Sequence, residues 1–285
     1  MKSLLPLLLE SFELEPKSIY SYIGKNLDIG SPQIYGGHVL AQAVLAAGMT
    51  VEENKSIHSL HSYFLSPGNN DLEIHYEVEN IKSGRSFDVR RVTASQNGKT
   101  IFLSSISFHI FEKSAEHQSL MPNVTRPEKL NSFSEIFADF AAKFNIKPRG
   151  IFSNDSPIIF HPVEYYNPFN PGIRPARNHT WFKVNGEVES SEKLQTALLT
   201  YASDFNLLIT ALMPHGMSLF TTPMQIASID HAMWFHRPIN INDWLLYSVE
   251  SPNLSKARGF CRGQIFSSDG QLLVSVAQEG LIRPM

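Results

Sequence analysis

The feature that most constrains this fold is an internal duplication. Several landmarks recur at an offset of 171 or 172 residues, which implies one inserted residue. They are Pro67 with Pro238, Tyr76–Glu79 with Tyr247–Glu250, Arg90 with Arg262, and Gly98 with Gly270. Self-similarity at a fixed spacing predicts that one structural unit occurs twice in the chain.

Each unit is predicted to contain an apolar helix and an antiparallel meander. Residues 38–48, after Gly36-Gly37, are apolar on nearly every side, which is typical of a buried helix. The second helical run extends from Glu192 to Leu212. The predicted strands are 57–65, 72–80, 86–97 and 100–111 in the first unit, and 225–236, 243–250, 257–267 and 271–283 in the second. Asn97-Gly98 and Ser268-Asp269-Gly270 are typical hairpin turns.

This pattern predicts an α+β fold in which each sheet wraps one helix and the two sheets join edge to edge. We assign residues 1–112 and 157–285 to the two units. Residues 113–156 are interpreted as a connector that contains an amphipathic helix at 129–144. Shorter elements are expected at 3–12 (helix) and at 19–23, 158–166 and 179–184 (strands).

Charge and cysteine content exclude several classes of protein. The net charge of −3 gives no field that would attract nucleic acid. The single cysteine cannot form an internal disulfide, which suits a reducing compartment. The apolar N-terminal run is interrupted by Glu10, too early for membrane insertion. We therefore expect a cytoplasmic protein, and the His and Cys spacing predicts neither a metal site nor a cofactor.

The two units differ chemically at a few positions. Ser228 and Gln278 fall where the first unit has Ile57 and Ile106. A buried polar group without a partner costs roughly 1–3 kcal/mol, so these side chains need a partner or a use. Hydrogen bonding into the core is the structural alternative.

Asp204 interrupts the apolar second helix. Desolvation there would raise the pKa of its carboxyl towards the range of a general base. A second interpretation is a helix break at Ser203-Asp204, with Asp204 capping the following segment.

A set of ordered motifs covers nearly the whole chain outside the connector and resembles the acyl-CoA thioesterase II family. They are Gly36-Gly37-His38 with Ala41-Gln42, residues 58–65, Arg85-Ser86-Phe87, residues 96–99, Tyr201-Ala202-Ser203-Asp204, residues 230–238, residues 257–260 and Gln278-Glu279-Gly280. The resemblance implies a double hotdog fold, hydrolysis of medium- to long-chain acyl-CoA, and a homodimer or homotetramer.

The resemblance also assigns roles. It implies that Asp204, Ser228 and Gln278 hold a water molecule against the thioester carbon. Many bacterial members have threonine at the Ser228 position, so the rotamer of this hydroxyl is less tightly fixed here. Backbone N–H groups at Gly36 and Gly37 are candidates for binding the oxyanion.

Three further residues are candidate substrate contacts. His58 is a candidate for contact with the substrate, and its alternative is a structural or interface role. Arg90 and Arg258 are candidates for binding the phosphates of CoA. Strand alternation predicts that Ser228 and Asp230 share one face of the sheet and that His231 points to the other.

Two rival functions stay open. Asp204-Phe205-Asn206 resembles the start of the pattern in enoyl-CoA hydratases and dehydratases, but the histidine expected five residues after the aspartate is Ile209. The other rival is a non-catalytic acyl-CoA binding protein.

Overall fold

The computed structural model describes residues 4–144, 148, 150–164 and 167–285. Within them, thirteen strands form one antiparallel sheet. The strands are β1 (Glu15–Ser18), β2 (Ser21–Gly24), β3 (Lys55–Phe64), β4 (Ile74–Ser83), β5 (Phe87–Gln96), β6 (Lys99–Ile110), β7 (Ile158–Pro162), β8 (Arg177–Val184), β9 (Met224–Ser228), β10 (Asp230–Phe235), β11 (Leu245–Ser255), β12 (Arg258–Ser267) and β13 (Leu272–Pro284). The helices are α1 (Leu5–Ser11), α2 (Gly36–Gly48), α3 (Phe133–Phe144), α4 (Glu192–Ser203) and α5 (Ile209–Leu212).

The two repeats join at the middle of the sheet. The strand order is β1-β2-β4-β5-β6-β3-β10-β13-β12-β11-β8-β7, and β9 also pairs with β13. At the seam β3 lies antiparallel to β10, with His61 opposite Ala232. The predicted α+β double hotdog with one continuous sheet is therefore confirmed.

The helices α2 and α4 pack against each other, and α2 also contacts β4, β5 and β6. Small residues on α2, such as Ala43 and Ala47, are fully buried and permit the close approach. Leu60 of the first repeat and Leu198 of the second belong to the same core cluster. The repeats consequently share one core, and residues of either half can contribute to one site.

The connector covers the outer face of the second repeat. Trp181 and Phe266 are buried there in a separate cluster, with Met121 packed against it. The Trp181 indole N–H donates to the carbonyl of Thr125 at 2.8 Å. Strand alternation explains this second layer, because Trp181 points away from the face that its neighbour Phe182 presents to the main core.

Some predicted elements differ in extent or reach beyond the described residues. The strand predicted at 158–166 ends at Pro162. Its positions 165 and 166, positions 1–3, and connector positions 145–147 and 149 lie outside the described residues. The division at 112 and 156 stays a prediction, with β6 ending at Ile110 and β7 beginning at Ile158. No helix in the described ranges is long and apolar enough to cross a membrane.

The sheet register corrects one pair in the duplication. Glu79 lies opposite Arg91 in the first repeat, and Glu250 lies opposite Arg262 in the second. Both pairs form ion pairs, at 3.2 Å and 2.6 Å respectively. The counterpart of Arg262 is therefore Arg91, at an offset of 171, and the match with Arg90 was wrong by one residue.

The inserted residue lies in a hairpin. In the first repeat Gln96 pairs with Lys99 across the two residues Asn97 and Gly98. In the second, the Ser267 N–H donates to the Gln271 carbonyl across three residues, at 2.9 Å. The offset consequently changes from 171 to 172 only at the last strand of each repeat.

Candidate active site

Asp204 lies where the second helix stops. The helix α4 ends at Ser203, and Asp204 is its C-terminal cap residue. Asn206 has a φ of 59°, a left-handed conformation that cannot continue a right-handed helix. The continuous helix predicted from Glu192 to Leu212 was therefore wrong, and the break is correct. Asp204 does not cap the next segment, because α5 begins after Leu208.

Ser228 lies at the end of β9, next to an irregularity in the predicted strand 225–236. Ser228 pairs with Gly280, whereas Ala232 pairs with Ala277. Four steps along one strand thus match three along the other, which defines a β-bulge at 229–231. The first repeat has a bulge at the corresponding place, between Ile57 and Ser59.

The three predicted catalytic side chains meet at this bulge. The Ser228 hydroxyl donates to Asp204 Oδ1 at 3.2 Å, and the Gln278 Nε2 amide donates to Ser228 Oγ at 2.9 Å. Gln278 is 1% exposed. Asp204 and Ser228 are half-buried as whole residues, but the Asp204 carboxyl group itself is desolvated by burial. Residues 24 and 50 positions away from Ser228 therefore form one connected polar cluster.

The start of α2 packs directly against this cluster. The backbone N–H of Gly37 donates to the Asp204 carboxylate. A Cβ on Gly36 would lie 2.6 Å from Asp204 Oδ2, and one on Gly37 would lie 2.2 Å from the backbone oxygen of Tyr201. Both glycines are thus needed for the close approach of the two helices.

Burial dominates the electrostatics of Asp204. It raises the pKa of the Asp204 carboxyl from 3.8 to about 6, against the opposing effect of hydrogen bonds from Ser228, Gln278 and Gly37. At neutral pH the carboxylate is still mainly ionised, but it is a stronger base than an exposed aspartate. A buried base within hydrogen-bond reach of a hydroxyl and an amide can remove a proton from a bound water.

His231 lies in the same cluster, contrary to the prediction that it faces the other side of the sheet. Its Nδ1 contacts Gln278 Oε1, and its Nε2 lies 3.0 Å from Ser203 Oγ. Simple alternation failed because the bulge adds one residue between Ser228 and His231. The duplication did indicate this position, because an offset of 171 aligns His231 in sequence with Leu60, a residue of the buried core.

The remaining predicted contacts lie elsewhere. Arg90 is 2% exposed, and its guanidinium donates to oxygens of Asn80, Thr50, Lys82, Val89 and Ser83. This position does not agree with a role in binding CoA phosphates, because every nitrogen already has a protein acceptor. The buried carboxylate of Asp88, 3.7 Å away, adds charge compensation.

His58 and Arg258 have different surroundings. The His58 Nε2 lies 2.7 Å from Ser107 Oγ, and its ring packs against Phe87 and His109. None of these contacts belongs to the cluster around Asp204, which favours the structural alternative. Arg258 is exposed and forms an ion pair with Glu279 at 3.0 Å, next to Gln278 in sequence.

The fold and site together define a double hotdog protein with a buried acid, a hydroxyl and an amide in one hydrogen-bonded cluster. The model of the "Acyl-CoA thioesterase" family matches residues 149–281, and that of the "Acyl-CoA thioesterase N-terminal domain" matches residues 26–109. Acyl-CoA thioesterase 2 of Haemophilus influenzae is 40% identical over 99% of both chains. The chain therefore belongs to the acyl-CoA thioesterase family.

Other relatives agree with this assignment. Human acyl-coenzyme A thioesterase 8 is 34% identical, over 95% of this chain and 86% of its own. The crystal structure of acyl-CoA thioesterase II TesB2 from Mycobacterium marinum aligns with a TM-score of 0.79 at 31% identity, covering 98% of each chain.

Proposed function

We propose that the protein hydrolyses medium- to long-chain acyl-CoA to a free fatty acid and CoA, by direct attack of a positioned water. Membership of the thioesterase family identifies the reaction class, that of a thioester hydrolase. The observation that carries the mechanism is the buried Asp204 carboxylate, which is hydrogen-bonded to both Ser228 and Gln278.

In this mechanism Asp204 is the general base. A water bound between Asp204, Ser228 and Gln278 loses a proton to the carboxylate while its oxygen forms a bond to the thioester carbon. The tetrahedral intermediate then expels the CoA thiolate as the carbon–sulfur bond breaks. Asp204 returns the proton it took from the water to the thiolate, which leaves as the free thiol of CoA. The fatty acid ionises by losing the second water proton to solvent. Holding the water in the attacking position lowers the entropic part of the barrier.

The role of Ser228 is to position water rather than to attack. Its hydroxyl proton is directed at Asp204 Oδ1, and its oxygen accepts from the amide of Gln278. Asp204 is the base that contacts Ser228, and the proposed mechanism assigns this base to the proton of the water. The histidine in the cluster contacts Gln278 and Ser203 instead of Ser228.

The N-terminal end of α2 is the proposed site of the developing oxyanion. Helix N-termini favour negative charge because their first N–H groups have no partner within the helix. Gly36 and Gly37 form that end beside Asp204. Because the Gly37 N–H already donates to the carboxylate, the Gly36 N–H is the donor that we propose for the oxyanion. The side chain of Phe64 lies against Gly36 and gives the position an apolar wall.

Arg258 is the charged contact that we propose for the phosphates of CoA. It is on the strand next to that of Gln278, 45% of its side chain is exposed, and it forms an ion pair with the half-buried Glu279. An Arg258→Ala variant should raise KM with little change in kcat, because phosphate binding is equally strong in the ground and transition states.

The rival functions fit the geometry less well. A hydratase needs a second acid or base beside Asp204, and both ring nitrogens of His231 already have protein partners. A binding protein would have no need of a desolvated carboxylate, which costs stability. Both rivals can be separated from hydrolysis in one assay.

The assay is thiol release from palmitoyl-CoA, followed with a disulfide reagent and repeated with acyl chains of different length. Thiol release without hydration of an enoyl-CoA supports the proposal, and rates should be highest for medium and long chains. Hydration without thiol release, or tight binding without either product, would refute it. An acyl group trapped on Ser228 would overturn the direct-water step.

We further propose that the protein works in the cytoplasm, in lipid metabolism, as a homodimer or homotetramer. The support is the expected reducing environment, and family resemblance for the assembly. Light scattering during size-exclusion chromatography measures the assembly directly, and a single monomeric mass at micromolar concentration would contradict it.

A further inference from the structure

His231 is the buried group beside the site that the proposed mechanism does not use. It is 0% exposed, and burial lowers the pKa of its imidazole to about 4, so the ring is neutral at working pH. A neutral imidazole has one N–H donor and one acceptor nitrogen. Because both nitrogens contact protein atoms, the neighbours determine which nitrogen carries the proton.

The direction of the hydrogen bonds follows from Asp204. The ionised carboxylate can only accept, so Gln278 must turn its NH₂ group towards Ser228 and Asp204. This orientation leaves Gln278 Oε1 directed at His231 Nδ1. An amide oxygen also only accepts, and the proton must therefore lie on Nδ1.

The other ring nitrogen completes the chain of hydrogen bonds. With the proton on Nδ1, His231 Nε2 is an acceptor. The Ser203 hydroxyl lies 3.0 Å from Nε2 and 2.8 Å from the Thr200 carbonyl, so in this tautomer its one proton is directed at Nε2 in place of Thr200. Ser203 is the last residue of α4, directly before Asp204. The chain thus links the backbone that presents Asp204, through His231 and Gln278, to Ser228.

The first repeat has an apolar pair at the positions that His231 and Gln278 occupy in the second repeat. Leu60 lies opposite Ile106 across β3 and β6. At offsets of 171 and 172 these positions become His231 and Gln278, so the polar pair is present in full in one repeat and replaced by an apolar pair in the other.

We infer that His231 is a positioning residue, whose Nδ1–H tautomer holds the Gln278 amide with its NH₂ towards Ser228 and Asp204. This inference rests on the proposed function. Without the ring the amide can turn over, which would present an oxygen to the carboxylate and destroy the water site. His231 itself does not touch the substrate.

The test compares two substitutions at His231 by steady-state hydrolysis of palmitoyl-CoA. His231→Leu, which installs the residue of the first repeat, should lower kcat roughly tenfold to a hundredfold with little change in KM, because the water is misplaced. His231→Asn should restore most of kcat, since its Nδ2 donor lies at the same distance from the backbone as Nδ1. His236→Leu, an exposed histidine at the end of the same strand, is the matched control and should keep wild-type kcat.

A double-mutant cycle separates positioning from a general loss of structure. In a Gln278→Ile background, His231→Leu should cause no further loss of kcat, because the amide it holds is already absent. An equal loss in both backgrounds would overturn the inference, as would wild-type kcat in His231→Leu. If Gln278→Ile alone keeps wild-type kcat, the proposed function fails instead.

Nitrogen-15 chemical shifts of the histidine ring give a readout that does not depend on activity. Subtraction of the His231→Asn spectrum assigns the resonances among the 11 histidines. The protonated nitrogen should be Nδ1, and the ring should remain neutral down to about pH 5. A proton on Nε2 would contradict the inference.

Discussion

In the first repeat, Leu60 and Ile106 form an apolar pair at the seam of the sheet, whereas His231 and Gln278 occupy these positions in the second. The Ser228 position is Ile57 in the first repeat. A β-bulge lies next to this position in both repeats. The backbone that directs a strand residue towards the helices is therefore a shared feature of the two repeats. The difference lies in three side chains and in the acid at the end of α4.

The comparison shows what the active site costs. The first repeat fills its positions with side chains that need no partner, and Ile57 borders a cavity of about 350 Å³ between the ends of α2 and α4. The second repeat buries a carboxylate, an amide and an imidazole, each of which loses hydration. Hydrogen bonds within the cluster offset part of that loss. For Asp204 they do not offset all of it, because its pKa remains raised to about 6.

The largest loss of activity is expected when the general base, which only the second repeat supplies in the proposed mechanism, is removed. Asp204→Asn keeps the size of the side chain but cannot accept the water's proton. We expect kcat for palmitoyl-CoA to fall about 10²- to 10⁴-fold, the usual contribution of a general base. Asp243→Asn, in an exposed loop, is the matched control. Activity of Asp204→Asn within a few-fold of wild type would end the assignment.

Converting the second repeat towards the first should have the next largest effect. Gln278→Ile removes the donor that holds the Ser228 hydroxyl, and kcat should fall on the order of 10²-fold with the fold retained. The converse change, Ile106→Gln, buries an amide without a partner. It should leave kcat unchanged and lower the free energy of unfolding by about 1–3 kcal/mol. Urea unfolding and thiol release on both variants measure these outcomes, and a loss of activity in Ile106→Gln would contradict the division between repeats.

A smaller effect concerns stability. The pKa of Asp204 is raised in the folded state, so folding favours its protonated form and loses stability as pH rises from about 4 through 6. At pH 7.5, Asp204→Asn should therefore be more stable than wild type, by up to roughly 2–3 kcal/mol, since one pKa unit corresponds to about 1.4 kcal/mol. The gain should shrink towards pH 4. Thermal unfolding at several pH values checks this, and a variant less stable than wild type at pH 7.5 would refute it.

The smallest effects are expected where the repeats are alike. Arg91→Ala and Arg262→Ala each remove an exposed ion pair with a glutamate on the neighbouring strand. Each should lower the free energy of unfolding by less than about 1 kcal/mol, since exposed pairs contribute little. Chemical denaturation of both variants should give similar small losses, and a large loss in one repeat only would show that the pairs are not equivalent.

Much of the fold could be predicted because duplication and hairpin turns are local patterns. Seven strands of the two meanders were predicted in order, and the eighth, 225–236, is divided by the bulge into β9 and β10. Both central helices were located, but the second was predicted too long. The break after Ser203 could not be distinguished from a continuous helix. It depends on the left-handed conformation of Asn206, and the helix-forming residues on either side favour continuation.

The site was predicted only in part, for physical reasons. Asp204, Ser228 and Gln278 stood out as polar residues in apolar surroundings, which a sequence can show. His231 was placed on the wrong face because a bulge shifts alternation by one residue and has no reliable sequence signature. Arg90 was misjudged because the partners that bury its guanidinium come from separate segments, including Thr50 and Asn80.

The most direct test of the central claim, that one desolvated carboxylate in the second repeat activates water, is the pH profile of kcat/KM. In wild type, kcat/KM should rise with pH through an apparent pKa near 6 as Asp204 ionises in the free enzyme. In Asp204→Asn the residual activity should show no such limb. The same limb in the variant would mean that another group is the base, and the account would be wrong.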